Sequence, residues 1–550
     1  MTRFPQTIPI GPKTAYSALA ILPLCLLLSI IFLRMQTGPF WQWFNLDPSY
    51  PYLFGALKMA DFSFGKMIEH PGTPLQMLGA FLIRAFNLTQ SSGEMVRNVL
   101  SDPEMYLTGI SHLTALLSAL ALFALGVAGY GISRSLLPAL VLQTGPFLSK
   151  LVIRHAETVT PESLLVFTTL ILCFFIVRAL RPGSLDNHRF LYALVFGAVI
   201  AFGTATKLTF LPMALAPIFL LGTWRSLIVY GASFTLFFIL LLVPILPEWG
   251  VMFDWVSGLV FTSGFHGTGE AQIIDLSGYP GKIYKLSSRP LFFLPILLSL
   301  FFLAKSRMEK KQGRPAPELE TRALAGIATA QIAQILVIAK HATAFYMIPA
   351  FILIGLSLFL LYRLAGTFYL TTTKSTLRFR HIVAALFGIL VIAQTAGLWK
   401  MGGKHQAQGE RALALDNALF SSCLNIPFTS ASDPDYALHF GSYWNRHAFA
   451  DQLAELKGRE NYWMNVSLKH FNIQEDGLRD WHGLRNLREI VDQNHRPCVF
   501  MRGTNGEEMR KKLDALLPQK KFNAECSTRN ESAFTQGIDC RGLQTGGEQE

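Results

Sequence analysis

Charged residues are scarce in this sequence of 550 residues. Asp, Glu, Lys and Arg together make up 15% of it, whereas hydrophobic residues make up 51% and Phe alone occurs 43 times. A soluble chain of this length carries much more charge. The composition therefore excludes an ordinary soluble enzyme and is typical of a polytopic membrane protein.

Several motifs are missing as well. The chain contains no Walker or dinucleotide-binding loop, no CxxC and no internal repeat. Its net charge is +12, and the basic excess belongs to the first 400 residues, because residues 401–550 hold 18 Lys and Arg against 20 Asp and Glu. Cytoplasmic loops and lipid head groups explain this excess, and no nucleic-acid motif accompanies it. We expect the lipid bilayer, and no nucleic acid, as a partner.

Cysteine is rare and unevenly placed. Cys25 and Cys173 lie inside apolar segments, where we expect them to serve packing. The remaining cysteines all fall in the last part of the chain: Cys423, Cys498, Cys526 and Cys540. An even number confined to one region indicates disulfides and an oxidising compartment, and four free cytosolic thiols are the alternative. Cys526 and Cys540 flank a predicted hairpin, but the sequence does not choose among three connectivities.

Apolar runs near bilayer-spanning length recur up to residue 399 and then stop. We predict about eleven spans, near residues 15–33, 105–132, 136–153, 161–180, 190–206, 208–222, 227–245, 290–303, 324–339, 344–362 and 382–399. With a cytoplasmic N-terminus, the two most basic connections fall inside, as the positive-inside rule expects. An odd number of spans then places the C-terminal region outside. No small-x-small cleavage site follows Arg34, so we expect the first span to be retained.

The predicted fold class is thus an α-helical polytopic protein of the inner (plasma) membrane, with a small C-terminal α/β domain outside the cytoplasm. The transmembrane domain covers residues 1–400, and the extracytoplasmic domain, periplasmic or extracellular, covers residues 401–550. Within the latter we expect strands at 437–443 and 497–501 and helices at 447–456 and 507–517.

The outer loop at residues 34–104 is the richest in functional signals. Asp47 lies in the first part of this loop, Tyr50 and Tyr52 come next, and Glu69 and His70 precede a Pro-Gly-x-Pro turn. A carboxylate at this place can act as a general base, although Asp-Pro is also a common turn dipeptide. The turn fixes His70 on a rigid path, or is an ordinary connector. Residues 72–86 read as a helix on the membrane surface or as a re-entrant packing helix.

Further ionisable residues lie at the predicted outer ends of other spans. They are Arg154, His155, Glu157 and Glu162 in one interhelical connection, then Lys207, and then Lys340 and His341 with Tyr346 beyond them. Such groups usually face a cavity or one another, although each cation alone could be a snorkelling side chain. His266 lies in a Gly-rich outer loop that we interpret as a flexible lid.

Taken in order, these elements resemble the GT-C superfamily of membrane glycosyltransferases, in particular its family 39-like, PMT-type bacterial members. Asp47-Pro-Ser-Tyr50-Pro-Tyr52, followed by His70-Pro-Gly-Thr-Pro, is similar to the family's acidic-x-x-Tyr and His-Pro-x-x-Pro pattern. Thr204-Ala-Thr-Lys207 and Lys340-His341 with Tyr346 are similar to its outer-face elements. The resemblance covers roughly residues 1–400. Many members carry two adjacent acidic residues, whereas here Pro48 follows Asp47.

The resemblance implies sugar transfer from a polyprenyl-phosphate-linked donor to a hydroxyl acceptor at the outer face, with inversion. The acceptor would be a cell-envelope lipid, glycan or protein. Asp47 would be the catalytic base, with Glu157 or Glu162 as the second acid. The lipid phosphate would be bound by Arg154, Lys207, Lys340 and His341, and the sugar site shaped by Tyr50, Tyr52 and His70. The other expected substrate-binding residues are Glu69, His155, Glu162, His266 and Tyr346.

No cofactor is indicated, and a divalent cation at Asp47 stays open because carboxylates also ligate such ions. His70, His155 and His266 have no metal-ligand spacing. The rival function is a transporter or flippase for a lipid-linked or polar solute. It is disfavoured because no inverted repeat is found and the ionisable residues gather at one face. A structural or assembly protein is the third alternative, and it leaves the outer loop unexplained.

Overall fold

The computed structural model describes residues 12–42, 45–262, 271–274, 276–314, 317–369, 373–413, 415, 420–465, 477–524, 526–528 and 531–538. In chain order the helices of its first part are α1 (Pro12–Thr37), α2 (Leu46–Ala60), α3 (Thr73–Phe86), α4 (Ser92–Ser101), α5 (Pro103–Ser133), α6 (Leu136–Leu142), α7 (Lys150–Ala156), α8 (Pro161–Ala179), α9 (Ser184–Asn187), α10 (Arg189–Thr206), α11 (Leu215–Leu221), α12 (Trp224–Leu242), α13 (Trp249–Phe261), α14 (Tyr279–Ser287), α15 (Pro290–Lys311), α16 (Glu318–Ala339), α17 (Ile348–Phe368) and α18 (Thr373–Leu413).

Nine helical stretches among the described residues are long and apolar enough to cross a membrane. They are α1, α5, α8, α10, α12 continuing into α13, α15, α16, α17 with the turn before it, and α18. Each coincides with a predicted span, so the multi-pass helical fold expected from the sequence is confirmed.

The other two predicted spans are broken into short helices. Residues 136–153 form α6, a 3-10 turn at Gly145–Phe147 and the start of α7. Residues 208–222 form a 3-10 helix at Leu208–Ala214 followed by α11. Prolines at positions 138, 146, 212 and 217 lie in these two stretches. Each proline removes a backbone N–H donor, which explains why neither run continues as one α-helix.

Helices α2, α3 and α4 fill the outer loop. The helix expected at residues 72–86 is present as α3, which begins at Thr73 after Gly72. Leu75 and Ile83 are buried on one face, whereas Met77 and Phe81 are exposed on the other. Since both faces are apolar, this helix suits the membrane boundary, and the surface and re-entrant alternatives both stay open.

The C-terminal region holds helices and two small sheets, as expected. Its elements are β1 (Leu424–Pro427), α19 (Pro434–Trp444), α20 (Ala450–Lys457), β2 (Trp463–Asn465), β3 (Gly477–Asp480), β4 (Gly483–Arg485), α21 (Leu487–Asp492), β5 (Val499–Gly503), α22 (Gly506–Leu516) and β6 (Ser532–Gln536). One sheet has the order β1-β5-β6, with β1 and β5 parallel, and the other is the antiparallel β2-β3-β4. The predicted strand at 497–501 and the helices at 447–456 and 507–517 are confirmed with shifted ends.

The strand predicted at 437–443 is wrong, because these residues lie in α19. The side chain of Asp433 accepts a hydrogen bond from the backbone N–H of Tyr436 at 2.7 Å, and Pro434 is the first helical residue. An Asp N-cap followed by Pro is a strong helix start.

The C-terminal region packs directly on α2. Asn445 is 1% exposed, and its amide donates to the carbonyl oxygen of Pro51 at 3.0 Å. A β-carbon at Gly441 would lie 2.6 Å from the ring of Phe54, so α19 and α2 are in close contact there. The outer loop and the C-terminal region therefore share one hydrophobic core.

Candidate active site

The turn between α2 and α3 is held against the end of α10. The backbone N–H of Gly72 donates to the carbonyl oxygen of Ala205 at 2.9 Å, and the N–H of Leu208 donates to the carbonyl oxygen of His70 at 3.0 Å. Gly72 has φ +71°, and a β-carbon there would lie 2.2 Å from the ring of Tyr52. Only glycine fits such a position. These two hydrogen bonds bring Lys207 beside the turn.

Tyr52 connects the same turn to α2. Its side chain is 1% exposed, and its hydroxyl donates to the backbone carbonyl of Glu69 at 3.1 Å. Asp47 lies five residues before Tyr52, at the start of α2, where Asp47 and Pro48 have non-helical backbone angles. The sequence-predicted residues Asp47, Tyr52, Glu69 and His70 are thus brought together by α2 and the turn.

Asp47 and Glu69 are two carboxylates without a hydrogen bond or ion pair to another side chain in the described ranges. The side chain of Asp47 is exposed, yet the surrounding protein raises its pKa to about 6 by desolvation, against the lowering effect of Lys207. Burial, and then the charge of Asp47, raise the pKa of Glu69 to about 7, while Lys207 lowers it. Asp47 is thus solvent-accessible although much protein surrounds it, and the space between Asp47, Glu69 and Lys207 is called the cavity below.

Lys207 is the cation of this cavity. It is 2% exposed and forms an ion pair with Glu162, which is 3% exposed. Its ammonium lies 4.0 Å from the centroid of the Tyr346 ring, a cation–π contact. A buried ion pair of this kind is retained at a cost in desolvation, and here it fixes one positive charge next to two unpaired carboxylates.

Histidine and aromatic rings line the cavity around Lys207. The His70 ring lies 5.3 Å from that of Trp255 and 6.4 Å from that of Tyr346, and the His155 ring lies 4.4 Å from that of Phe345. Burial lowers the pKa of His155 to about 4, which keeps this ring neutral at pH 7. The cavity thus combines two free carboxylates, one cation and several rings.

Glu157 is placed differently from the prediction. It is 1% exposed, and it accepts hydrogen bonds from Arg34 at 3.0 Å and from Thr37 at 3.2 Å. A carboxylate engaged in this way holds the end of the first span to α7 and is not available as a base. Glu69, which the sequence assigned to substrate binding, is the second unpaired acid beside Asp47.

Several other predicted residues also lie outside the cavity. Tyr50 is buried and donates to Glu104 at 2.9 Å. Lys340 donates to the carbonyl oxygen of Val260 at 2.6 Å. Burial lowers the pKa of His341 and the Leu259 backbone raises it, so this pair lies at the end of α13.

Two predicted residues remain apart from any described contact with Asp47. The exposed side chain of Arg154 acts electrostatically on Glu157 and His405, and it is not among the charges that shift the pKa of Asp47. His266 lies outside the described residues, so its predicted place in a lid stays a prediction.

The sequence did not single out three residues that the structure adds to the cavity. Trp255 and Phe345 contact the two histidines, and Tyr436 of α19 lies within electrostatic range of Asp47. None of them belongs to a local motif, and each arrives through tertiary packing of a distant element. In the part of the chain that the structure describes, no group of three or more His, Cys, Asp or Glu side chains could hold a metal ion.

The comparisons with known proteins agree with the predicted resemblance. Residues 94–249 match the family described as dolichyl-phosphate-mannose-protein mannosyltransferase. This segment contains His155, Glu162 and Lys207, and it begins after Asp47 and Glu69. The resemblance to PMT-type glycosyltransferases is thereby confirmed over those residues.

A similar solved structure is the crystal structure of ArnT from Cupriavidus metallidurans bound to undecaprenyl phosphate. The identity is 13%, the alignment covers 96% of this chain and 99% of that one, and the TM-score is 0.42. No curated protein matches the chain.

Proposed function

We propose, from the family match over residues 94–249, that this chain is a glycosyltransferase. It moves a sugar from a polyprenyl-phosphate-linked donor to a hydroxyl group of a lipid, glycan or protein at the outer face of the membrane. The observation that supports this most is the pair of carboxylates, Asp47 and Glu69, which have no side-chain partner among the described residues and lie next to the cation Lys207. Sugar transfer needs a base for the acceptor and a positive charge for the leaving phosphate.

Asp47 is the proposed general base. Its carboxylate is accessible, and its pKa of about 6 leaves it ionised at neutral pH but basic enough to take a proton. As the acceptor hydroxyl gives this proton to Asp47, its oxygen bonds to the anomeric carbon. The bond between that carbon and the donor phosphate oxygen breaks, and the polyprenyl phosphate leaves with the electron pair. A single displacement of this kind inverts the anomeric centre.

Lys207 is the proposed partner of the donor phosphate. An ammonium has three N–H donors, and Glu162 occupies one of them. The remaining donors can reach a phosphate oxygen, whose charge grows as the bond to the sugar breaks. Lys340 and His341 lie at the end of α13, so their proposed part is to hold that helix near His70 rather than to touch the phosphate.

The proposed sugar contacts are Glu69, His70 and Tyr346. With a pKa of about 7, Glu69 is partly protonated near neutral pH, so its carboxyl group can both donate and accept hydrogen bonds to sugar hydroxyls. The rings of His70 and Tyr346 form apolar walls against which a sugar can pack. The identity of the sugar follows from neither group alone.

We further propose that the N-terminus is cytoplasmic and that the C-terminal region lies outside an inner membrane. The disulfide between Cys423 and Cys498 supports this orientation, since such bonds persist in oxidising compartments. The cavity, which α2 shares with the docked α19, then opens on the outer side.

The test uses membranes that contain the protein, a panel of labelled polyprenyl-phosphate sugars and a cell-envelope acceptor fraction. We expect one donor to be consumed, with label in the acceptor and the opposite anomeric configuration in the product. Retained configuration would contradict the single displacement. Failure of every donor with a folded protein would favour the transporter, and a solute-uptake assay would then decide.

A further inference from the structure

A basic surface lies where α7 packs against α18. It is made of Lys150 and Arg154 on α7 and of Lys400 and Lys404 on α18, and we call it the α7–α18 basic face. All four side chains are exposed. None of them forms an ion pair with another residue in the described ranges.

The packing of the two helices brings these four charges together. The side chain of Lys150 packs against α18 at Gly397. A β-carbon at Gly397 would lie 2.3 Å from Cε of Lys150. Positions 397, 400 and 404 are three and seven residues apart, and therefore on one side of α18. Lys150 and Arg154 are likewise one helical turn apart on α7, and Arg154 acts electrostatically on His405.

The neighbouring carboxylates do not neutralise this surface. Glu157 is buried and bonded to Arg34 and Thr37. Glu410 lies six residues beyond Lys404 on α18, hydrogen-bonds Gln406 at 3.1 Å, and forms no ion pair with the four cations among the described residues. The four cations thus have no carboxylate partner among the described residues, and a bound anion would offset their charge.

The position of the basic face on α18 places it at a membrane boundary. Below it the helix exposes apolar side chains, with Leu386 61%, Ile389 63% and Ile392 72% exposed. Trp399 is 76% exposed and stacks on Phe32 near the end of the first span. An exposed Trp that separates an apolar stretch from lysines is the pattern of a lipid-facing helix at the head-group level.

The same boundary is the one at which the candidate site opens. His155, next to Arg154 in the chain, packs against Phe345, which also lies near Lys207, so α7 carries residues of both regions. Thr37 at the end of the first span hydrogen-bonds His405 at 2.7 Å, which fixes α18 at this level. Basic residues on the outer side of a membrane are contrary to the usual distribution, and a specific anion explains them.

We infer that the α7–α18 basic face binds the phosphate head group of an anionic phospholipid in the leaflet next to the candidate site. The lipid phosphate lies among the four cations, and its acyl chains follow the exposed apolar side of α18. This inference does not rest on the proposed glycosyl transfer, because lipid binding is measured without a donor.

The experiment titrates the purified full-length protein, in a neutral detergent, with short-chain phosphatidylglycerol or phosphatidylcholine, and counts bound lipids by native mass spectrometry. We expect the wild type to prefer phosphatidylglycerol. Lys400→Gln with Lys404→Gln should weaken that binding roughly tenfold to thirtyfold at low salt. The matched control is Lys282→Gln with Lys285→Gln on α14, which should stay within about twofold of the wild type.

A second pair, Lys150→Gln with Arg154→Gln, tests the same surface from the other helix and should show the same loss. If the α18 double variant fails to fold, this α7 double variant alone tests the inference. Unchanged phosphatidylglycerol binding in either folded pair would overturn the inference. Equal loss in the α14 control, or equal binding of phosphatidylcholine by the wild type, would do the same.

Discussion

The backbone N–H of Gly72 donates a hydrogen bond of 2.9 Å to the carbonyl oxygen of Ala205. This contact joins the outer loop to the end of α10, and it places Glu69 and His70 beside Lys207. The candidate site therefore depends on a turn that only glycine can form. This turn rests on the end of α10, at a residue 133 positions later in the chain.

Replacing Gly72 should damage both stability and activity. In Gly72→Ala the new methyl group meets the Tyr52 ring at 2.2 Å and the backbone is held at φ +71°. The left-handed conformation alone costs about 1–2 kcal/mol, and the clash adds to it. The control is Gly183→Ala, with φ +72° and its nearest neighbour at 3.6 Å. Thermal unfolding should show a clearly larger loss for Gly72→Ala, and equal losses would argue against the tight fit.

The contribution of Lys207 to the stability of the protein can be separated from its contribution to sugar transfer. Lys207→Gln leaves the buried Glu162 without its partner, which should destabilise the protein by about 3–5 kcal/mol. The double variant Lys207→Gln, Glu162→Gln removes both charges and should recover most of that stability. Transfer should remain lost in the double variant if Lys207 binds the donor phosphate. A double variant with wild-type transfer would show that the pair is only structural.

The rate of transfer should depend on pH through Asp47. The base acts in its ionised form, and its pKa is raised to about 6, so kcat/KM should rise with pH and level off above about 7. Glu69, whose pKa is raised to about 7, is a second carboxyl group that could produce this pH dependence, so its substitution is the control. Glu69→Gln should lower the rate but keep the acid limb near pH 6. If that limb disappears in Glu69→Gln, the titrating base is Glu69.

The disulfide gives a test of the orientation of the C-terminal region. Cys423 and Cys498 directly precede β1 and β5, whose Leu424 and Val499 are register partners, so the two thiols meet at one sheet edge. Their loop spans 75 residues, and its loss should cost about 2–5 kcal/mol. Protein isolated without reductant should resist alkylation at both positions. Alkylation of both cysteines would contradict an oxidising location. The control is Cys25→Ser, which removes a free thiol and should leave the stability unchanged.

The sequence predicts the membrane architecture well because a bilayer demands long apolar runs. It fails where proline interrupts such a run, as at residues 136–153 and 208–222. It also fails at 437–443, because a stretch of seven residues is too short for its apolar period to separate a strand from a helix. The Asp433-Pro434 cap was the signal that distinguishes them.

The candidate site was predicted in part. Asp47, Glu69, His70 and Lys207 lie at Pro- and Gly-rich turns or at ends of apolar runs, where ionisable residues stand out. The sequence could not predict which cation pairs with which carboxylate. Glu157 and Glu162 lie in the same short connection, and they differ only in the distant cation that packs against each of them. Glu157 meets Arg34 and Glu162 meets Lys207, and these pairings are set by helix packing.

The most direct test of the account compares sugar transfer by the wild type, by Asp47→Asn and by Asp61→Asn in the same membranes. Asp61 follows the other end of α2 and serves as the matched carboxylate outside the cavity. We predict a loss of roughly 10²–10⁴-fold for Asp47→Asn and wild-type transfer for Asp61→Asn, with equal amounts of folded protein. Wild-type transfer by Asp47→Asn would contradict the assignment of Asp47 as the base.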